Sequence, residues 1–270
     1  MRIAEDCTLP VWFKPKTVTP RRPQRRVPPG RLKLGPYAGS HSELQPSATI
    51  CFRFGTRIIR AIARPNDGVH TNVLRVQIPP SIVQRLVQAM AGLLPSVVGN
   101  WIRSTFPEWN LPPRVVLKMQ KKGWDKDFDT KKAVYAKLQL LQGVAIPEFL
   151  GELRYNGTRA ILLSDIGGAC LITPEGALLE VAEVRRLLGQ AFAALAQFRV
   201  SQDDAKLDNF HIVQDRIMVV DMERVVEDLT DTDLDIITNS TVNFLARLYQ
   251  DHQYSLWTDG FIAVDTQDTT

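Results

Sequence analysis

Cysteine is scarce in this chain, and Cys7, Cys51 and Cys170 are odd in number and far apart. That excludes a disulfide framework or a Cys-x-x-Cys metal site and implies reduced thiols. The four histidines, His41, His70, His211 and His252, have no ligand spacing, so zinc or haem chemistry is not expected. No uncharged apolar run approaches the roughly 18 residues of a membrane span. The opening Met1-Arg2-Ile3-Ala4-Glu5-Asp6-Cys7 lacks the apolar stretch of a secretory signal. A cytoplasmic or nuclear location without a membrane partner is therefore expected. There is no internal repeat, which argues against a solenoid or propeller.

What is present suffices for one large core or two small ones, since 44% of the 270 residues are hydrophobic and 23% charged. The net charge of +4 is unevenly placed: residues 1–47 hold nine Lys and Arg against three acids, leaving −2 for the remainder. Eight of the seventeen prolines also lie in that segment. Such a composition buries too little apolar surface to offset the entropy of ordering, so residues 1–47 are expected to be a disordered basic leader. Lys14, Lys16 and the pairs Arg21-Arg22 and Arg25-Arg26 have the composition of a nuclear-import or nucleic-acid patch. Nucleic acid is expected as a partner through this tail only.

From Ala48 the pattern changes. Ile50, Phe52 and Phe54 alternate with Cys51 and Arg53, and Leu74, Val76 and Ile78 alternate with Arg75 and Gln77, as in half-buried strands. After Pro79-Pro80-Ser81, the spacing of Ile82, Val83, Leu86, Val87, Met90 and Leu94 predicts an amphipathic helix. Val115-Val116-Leu117-Lys118 reads as a buried strand ending in lysine, and a helix is expected from about Phe128 to Leu141. Leu150 to Tyr155 and Arg159 to Ile166 read as strands joined through Asn156-Gly157, a strong hairpin signal. Thr173-Pro174-Glu175 offers a helix cap before the stripe Val181, Val184, Leu188, Phe192 and Leu195. A second hairpin spans Phe210 to Val213 and Ile217 to Val220, and a last helix is expected from about Leu234 to Gln250.

Between the strongest helical stripe and the second hairpin lies the polar loop Ser201-Gln202-Asp203-Asp204-Ala205-Lys206-Leu207-Asp208-Asn209, and the hairpin ends in Asp221-Met222-Glu223. Loops bracketed by buried elements often carry function. Phosphoryl transfer needs a carboxylate to orient the nucleophile, a lysine for the transferred phosphate, and an Asn and an Asp to hold magnesium. Asp204, Lys206, Asn209 and Asp221 fit these roles in order. A further lysine on an upstream strand should grip the nucleotide phosphates, and Lys118 closes its strand in that manner. His211, flanked by Phe210 and Ile212, reads as a core histidine.

At these residues the chain resembles the protein-kinase-like superfamily over about Val115 to Arg224. Asp204 to Asn209 matches its Asp-x-Lys-x-x-Asn spacing, and Asp221 stands where its metal-binding aspartate belongs. Val115 to Lys118, Asn156 to Gly168 and Asp203 to Asp221 look most like small fungal kinase-like proteins. The resemblance implies an α+β, bilobal protein-kinase-like fold. Its β-rich N-lobe would span residues 48–166 and its shortened helical C-lobe residues 167–270, with Leu163 to Gly167 as the hinge that meets adenine. ATP and magnesium are the implied cofactors.

The sequence also departs from the family's pattern. No Gly-x-Gly-x-x-Gly precedes Lys118, Gln202 replaces the histidine of the His-x-Asp motif, and only 49 residues follow Asp221. Lys131 falls where the glutamate partner of the strand lysine is expected, so two cations should repel there. Replacing Lys131 by glutamate would then strengthen nucleotide binding. Two functions stand side by side. One is an ATP- and magnesium-dependent phosphotransferase acting on an unknown small molecule or protein segment. The other is a pseudokinase serving as a nucleotide-binding or scaffolding module.

Overall fold

A computed structural model describes residues 26–38, 46–66, 71–95, 98, 101 and 105–265. Its first body is a closed antiparallel barrel with strand order β2-β3-β4-β5-β7-β6. The strands are β2 (Ala48–Phe54), β3 (Arg57–Pro65), β4 (Val73–Gln77), β5 (Arg114–Met119), β6 (Phe149–Tyr155) and β7 (Thr158–Ser164). Period-two alternation sends Ile50, Phe52 and Phe54 inward with Ile59, Ala61, Ala63, Val115 and Leu117, which share one buried cluster. Asn156 and Gly157, both at positive φ, make the tight turn between β6 and β7.

The barrel closes where β2 meets β6, at the pair Arg53 and Arg154. Gly151 permits this approach. Its φ is +145°, a β-bulge separates it from Phe149, and a Cβ there would lie 2.7 Å from the Phe54 ring. A side chain at this position would wedge the first and last strands apart.

This closure overturns the bilobal protein-kinase-like fold. The α+β class holds, but the β-rich part is a closed barrel of six strands, with four α-helices among the described residues. The difference traces to β3, whose nine residues complete the ring between β2 and β4.

The helices are α1 (Ile82–Leu93), α2 (Asp125–Lys137), α3 (Val181–Ala196) and α4 (Asp231–Thr258). α3 and α4 build the second buried cluster around Leu188, Phe192, Leu195, Leu245 and Tyr249, which takes in Val134, Tyr135 and Leu138 from the α2 region. Thr230 caps α4 by accepting from the Asp233 amide, and Asp231 and Asp233 suit the positive end of the helix. Thr173 does not cap α3. Its hydroxyl accepts instead from the Gly176 amide in front of a 3-10 turn, and α3 begins at Val181.

Three small strand groups complete the fold. The short strand β8 (Ala169–Cys170) pairs with β10 (Phe210–Val213), which pairs with β11 (Arg216–Val219). β9 (Val200–Gln202) pairs with β12 (Val225–Glu227). β1 (Leu32–Leu34) pairs with β13 (Ile262–Val264), so this part of the expected leader is an ordered strand whose backbone finds partners at the far end of the chain. Residues 1–25, with the paired arginines at 21–22 and Arg25, lie outside the described residues.

Candidate functional site

β5 presents Leu117 to the barrel interior, so Lys118 faces the opposite side, toward the helical body. Asp221 follows β11, and the Val220 amide donates to the Asn209 carbonyl at 3.0 Å, which ties the strand end to the 3-10 turn Leu207–Asn209. Lys118, Asn209 and Asp221, read from separate parts of the sequence, line one cavity of about 290 Å³. Val116, Leu163 and Ile172 supply apolar wall to the same cavity.

Two lysines and two carboxylates meet beside it. Lys118 lies 2.9 Å from both Asp221 Oδ1 and Glu223 Oε1. Lys131, on α2 and 1% exposed, lies 2.9 Å from Glu223 Oε1 and 3.4 Å from Asp221 Oδ1. Met222 is fully buried in the core, and its neighbours Asp221 and Glu223 both reach the lysines. The expectation that Lys131 repels Lys118 without compensation is therefore corrected. The lysines do face one another, but Glu223 supplies the missing anion, and a glutamate at 131 would leave three carboxylates around one cation.

The charges tune each other. Burial depresses the Lys131 ammonium and the neighbouring Lys118 charge depresses it further, to about 8, against the pull of Asp221 and Glu223. Burial opposes ionisation of Asp221 as well, yet Lys131 and Lys118 hold its carboxyl at about 2. Lys118 is raised, because Asp221 and Glu223 outweigh its burial. Asp221 and Glu223 are both held toward the ionised form by the two lysines.

The polar loop is organised around Asp204. Asn209 Nδ2 donates to the Asp204 carbonyl at 2.9 Å and to Oδ2 at 3.3 Å, and Lys206 Nζ lies 3.0 Å from Oδ2. That pairing raises the Lys206 ammonium. Gln202 is buried on β9 and donates from Nε2 to the Asp221 carbonyl, joining the loop to the cavity wall without a charge. Asp204 and Lys206 do not line the cavity that holds Lys118. Lys206 lines an adjoining open groove with Asp208, Asp251 and His252, and Asp208 borders both spaces.

Two cavity residues, Arg75 and His211, carry no site role in the sequence pattern. Arg75 on β4 adds a cation, anchored by a 2.9 Å bond from Nε to Asn66 Oδ1. His211 lines the cavity rather than the core, and burial first, then the Arg75 charge, lower its pKa. In the expected hinge, the Gly167 amide donates to its neighbour Asp165 Oδ1 at 3.1 Å. Among the described residues, no Gly-x-Gly-x-x-Gly loop precedes Lys118. The β2–β3 turn is Gly55-Thr56, where buried Glu108 accepts from the Thr56 amide at 3.1 Å and from its hydroxyl at 2.7 Å.

The donors fit a hard cation in type. The hydrogen bonds to the Asp221 carboxylate from Lys118, Lys131 and the Glu223 amide all converge on Oδ1. Asn209 commits Nδ2 to Asp204, which leaves its amide oxygen for coordination. Oxygen donors of this kind suit magnesium that keeps most of its waters or phosphate ligands. Among the described residues there is no cluster of three His, Cys, Asp or Glu, so an all-protein metal cage is not formed. No family model and no curated protein matches this chain.

Proposed function

We propose that the chain is an ATP- and magnesium-dependent phosphotransferase acting on a small molecule or an unstructured protein segment. The observation that carries the reading is the convergence of Lys118, Asn209 and Asp221 on one cavity. Chemistry and placement support it, not the architecture. Lys118 is fixed by two carboxylates where a phosphate group would meet it. Asn209 and Asp221 would hold the magnesium, which supplies neutralisation of phosphate charge. Asp204, oriented by Asn209, is the group to accept the proton of an acceptor hydroxyl. Lys206, paired with it, stands beside the groove through which an acceptor would enter.

A second reading, a nucleotide-binding module without turnover, draws on the Lys131 pair. The buried ammonium already neutralises part of the Asp221 and Glu223 charge that a metal would otherwise meet. Calorimetry with ATP, with and without magnesium, on the wild type and Lys118→Met tests the shared premise. Magnesium-enhanced binding that Lys118→Met weakens is expected. Absence of binding at millimolar nucleotide would remove both readings. Binding without ADP formation over hours in the presence of small-molecule alcohol and peptide acceptors would retain only the second.

A further inference from the structure

α1 lies against the barrel with its polar side. Gln84 accepts from the Arg57 guanidinium at 2.8 Å and donates to the Leu111 carbonyl at 3.1 Å, and Gln88 donates to the Trp109 carbonyl at 3.0 Å. At about 100° per residue, these glutamines fall opposite a stripe of Ile82, Val83, Leu86, Met90 and Leu93. The stripe is turned outward, with Ile82 77%, Met90 68% and Leu93 87% exposed. An ordinary surface helix buries this side and shows the other.

Arginines lie near the end of α1 that Arg57 holds through Gln84. Arg85 is exposed on the flank of α1, and Ile58, 74% exposed, directly follows the Arg57 that anchors the helix. Along β3 the outward positions continue as Arg60, Ile62 and Arg64, and Arg53 pairs with Ile58 across the hairpin. No Asp or Glu occurs among residues 46–66 and 71–95. From Ala48 to Phe106 the sequence holds seven arginines and no lysine against one acid, Asp67. The positive charge is thus not confined to the leader.

We propose that this face docks on an anionic lipid surface, with α1 lying in the interface and the β2–β3 arginines meeting lipid phosphates and carboxylates. Exposed aliphatic side chains bordered by charge of one sign match such a surface in both respects. Nucleic acid would use the arginines and leave the aliphatic stripe in water, and a second copy of the chain would bring like charges together. No described helix is long and apolar enough to cross a membrane. Lying on a bilayer is a separate property that a search for spans does not address.

The test is co-sedimentation of the full chain with vesicles of phosphatidylcholine alone or mixed with phosphatidylserine, at low and high salt. Binding to the mixed vesicles, weakened by salt, is expected. The Leu86→Asp, Met90→Asp variant keeps the basic leader and should lose at least about tenfold in partitioning. Arg53→Gln, Arg60→Gln should lose about fivefold per arginine. Thermal melts of each variant confirm folding, since all four side chains are exposed. Binding unchanged by Leu86→Asp, Met90→Asp would assign the affinity to the leader and overturn the proposal. So would self-association, or RNA binding, in a chain that ignores both vesicle types.

Discussion

Reversing the charge of Lys131 probes the buried cluster directly. In Lys131→Glu, the 1% exposed ammonium that meets Glu223 at 2.9 Å becomes a third carboxylate beside Asp221 and Glu223, with Lys118 the remaining cation. Breaking a buried pair by removing one partner costs about 3–5 kcal/mol, a large share of the roughly 5–15 kcal/mol that holds a domain together. Reversal adds repulsion to that loss. At about 2–4 °C per kcal/mol for a chain of this size, melting should fall by about 10 °C or more. The exchange Lys131→Glu, Glu223→Lys restores two cations and two anions in the same volume and should recover more than half of the loss. Urea unfolding of the wild type, both single variants and the exchange gives the coupling free energy. If Lys131→Glu unfolds within about 0.5 kcal/mol of wild type, or if the two changes simply add, the reasoning about the cluster is wrong.

The other predictions concern the same site and the barrel. If phosphoryl transfer occurs, Asp204→Asn should lower turnover by about 10²–10⁴-fold with ATP affinity nearly unchanged, whereas Asp221→Asn should abolish the magnesium dependence of binding in calorimetry. The Asp221 carboxyl, held at about 2 against an ordinary 3.8, contributes stability that is present above pH 4 and lost as pH falls toward 2. Lys131, lowered from 10.5 to about 8, gives the same sign in an alkaline window. Between those values the unfolded chain binds more protons, so stability from this group rises with pH, and Lys131→Met should flatten the alkaline limb of a melting profile. Gly151→Ala should cost about 1–3 kcal/mol through its clash with Phe54, and Phe54→Leu should reduce that penalty if the contact is the cause.

Much of the site was legible before the fold was. The loop from Asp203 to Asn209 stood out because three acids, a lysine and an asparagine interrupt buried elements, and Lys118 because it ends an apolar strand. Glu223 was read only as part of the strand end, and its role as the partner of Lys131 was hidden because the two are 92 residues apart. The available signal was the pair of anomalies, a lysine where a glutamate is expected and a second carboxylate two residues past Asp221. β3 was hidden for a different reason. Its inward positions include Ala61 and Ala63, and its outward ones Ile58 and Ile62, so hydrophobicity does not alternate although burial does. Without β3 the strands suggest an open sheet. β1 escaped because its three residues sit among prolines and pair with a strand at the far end of the chain.

The closing of β2 onto β6 also matters for how the chain is made. During synthesis, Arg53 emerges long before Arg154, the residue it pairs with. Until β6 is released, β2 presents an unpaired edge carrying Ile50, Phe52 and Phe54, the kind of edge that captures strands from neighbouring chains. The nascent protein therefore passes through an aggregation-prone interval that the finished barrel does not have. Arg53 in that strand supplies charge that discourages stacking during the wait. Translation that pauses between β5 and β6 should lower soluble yield more than an equal pause placed after β7.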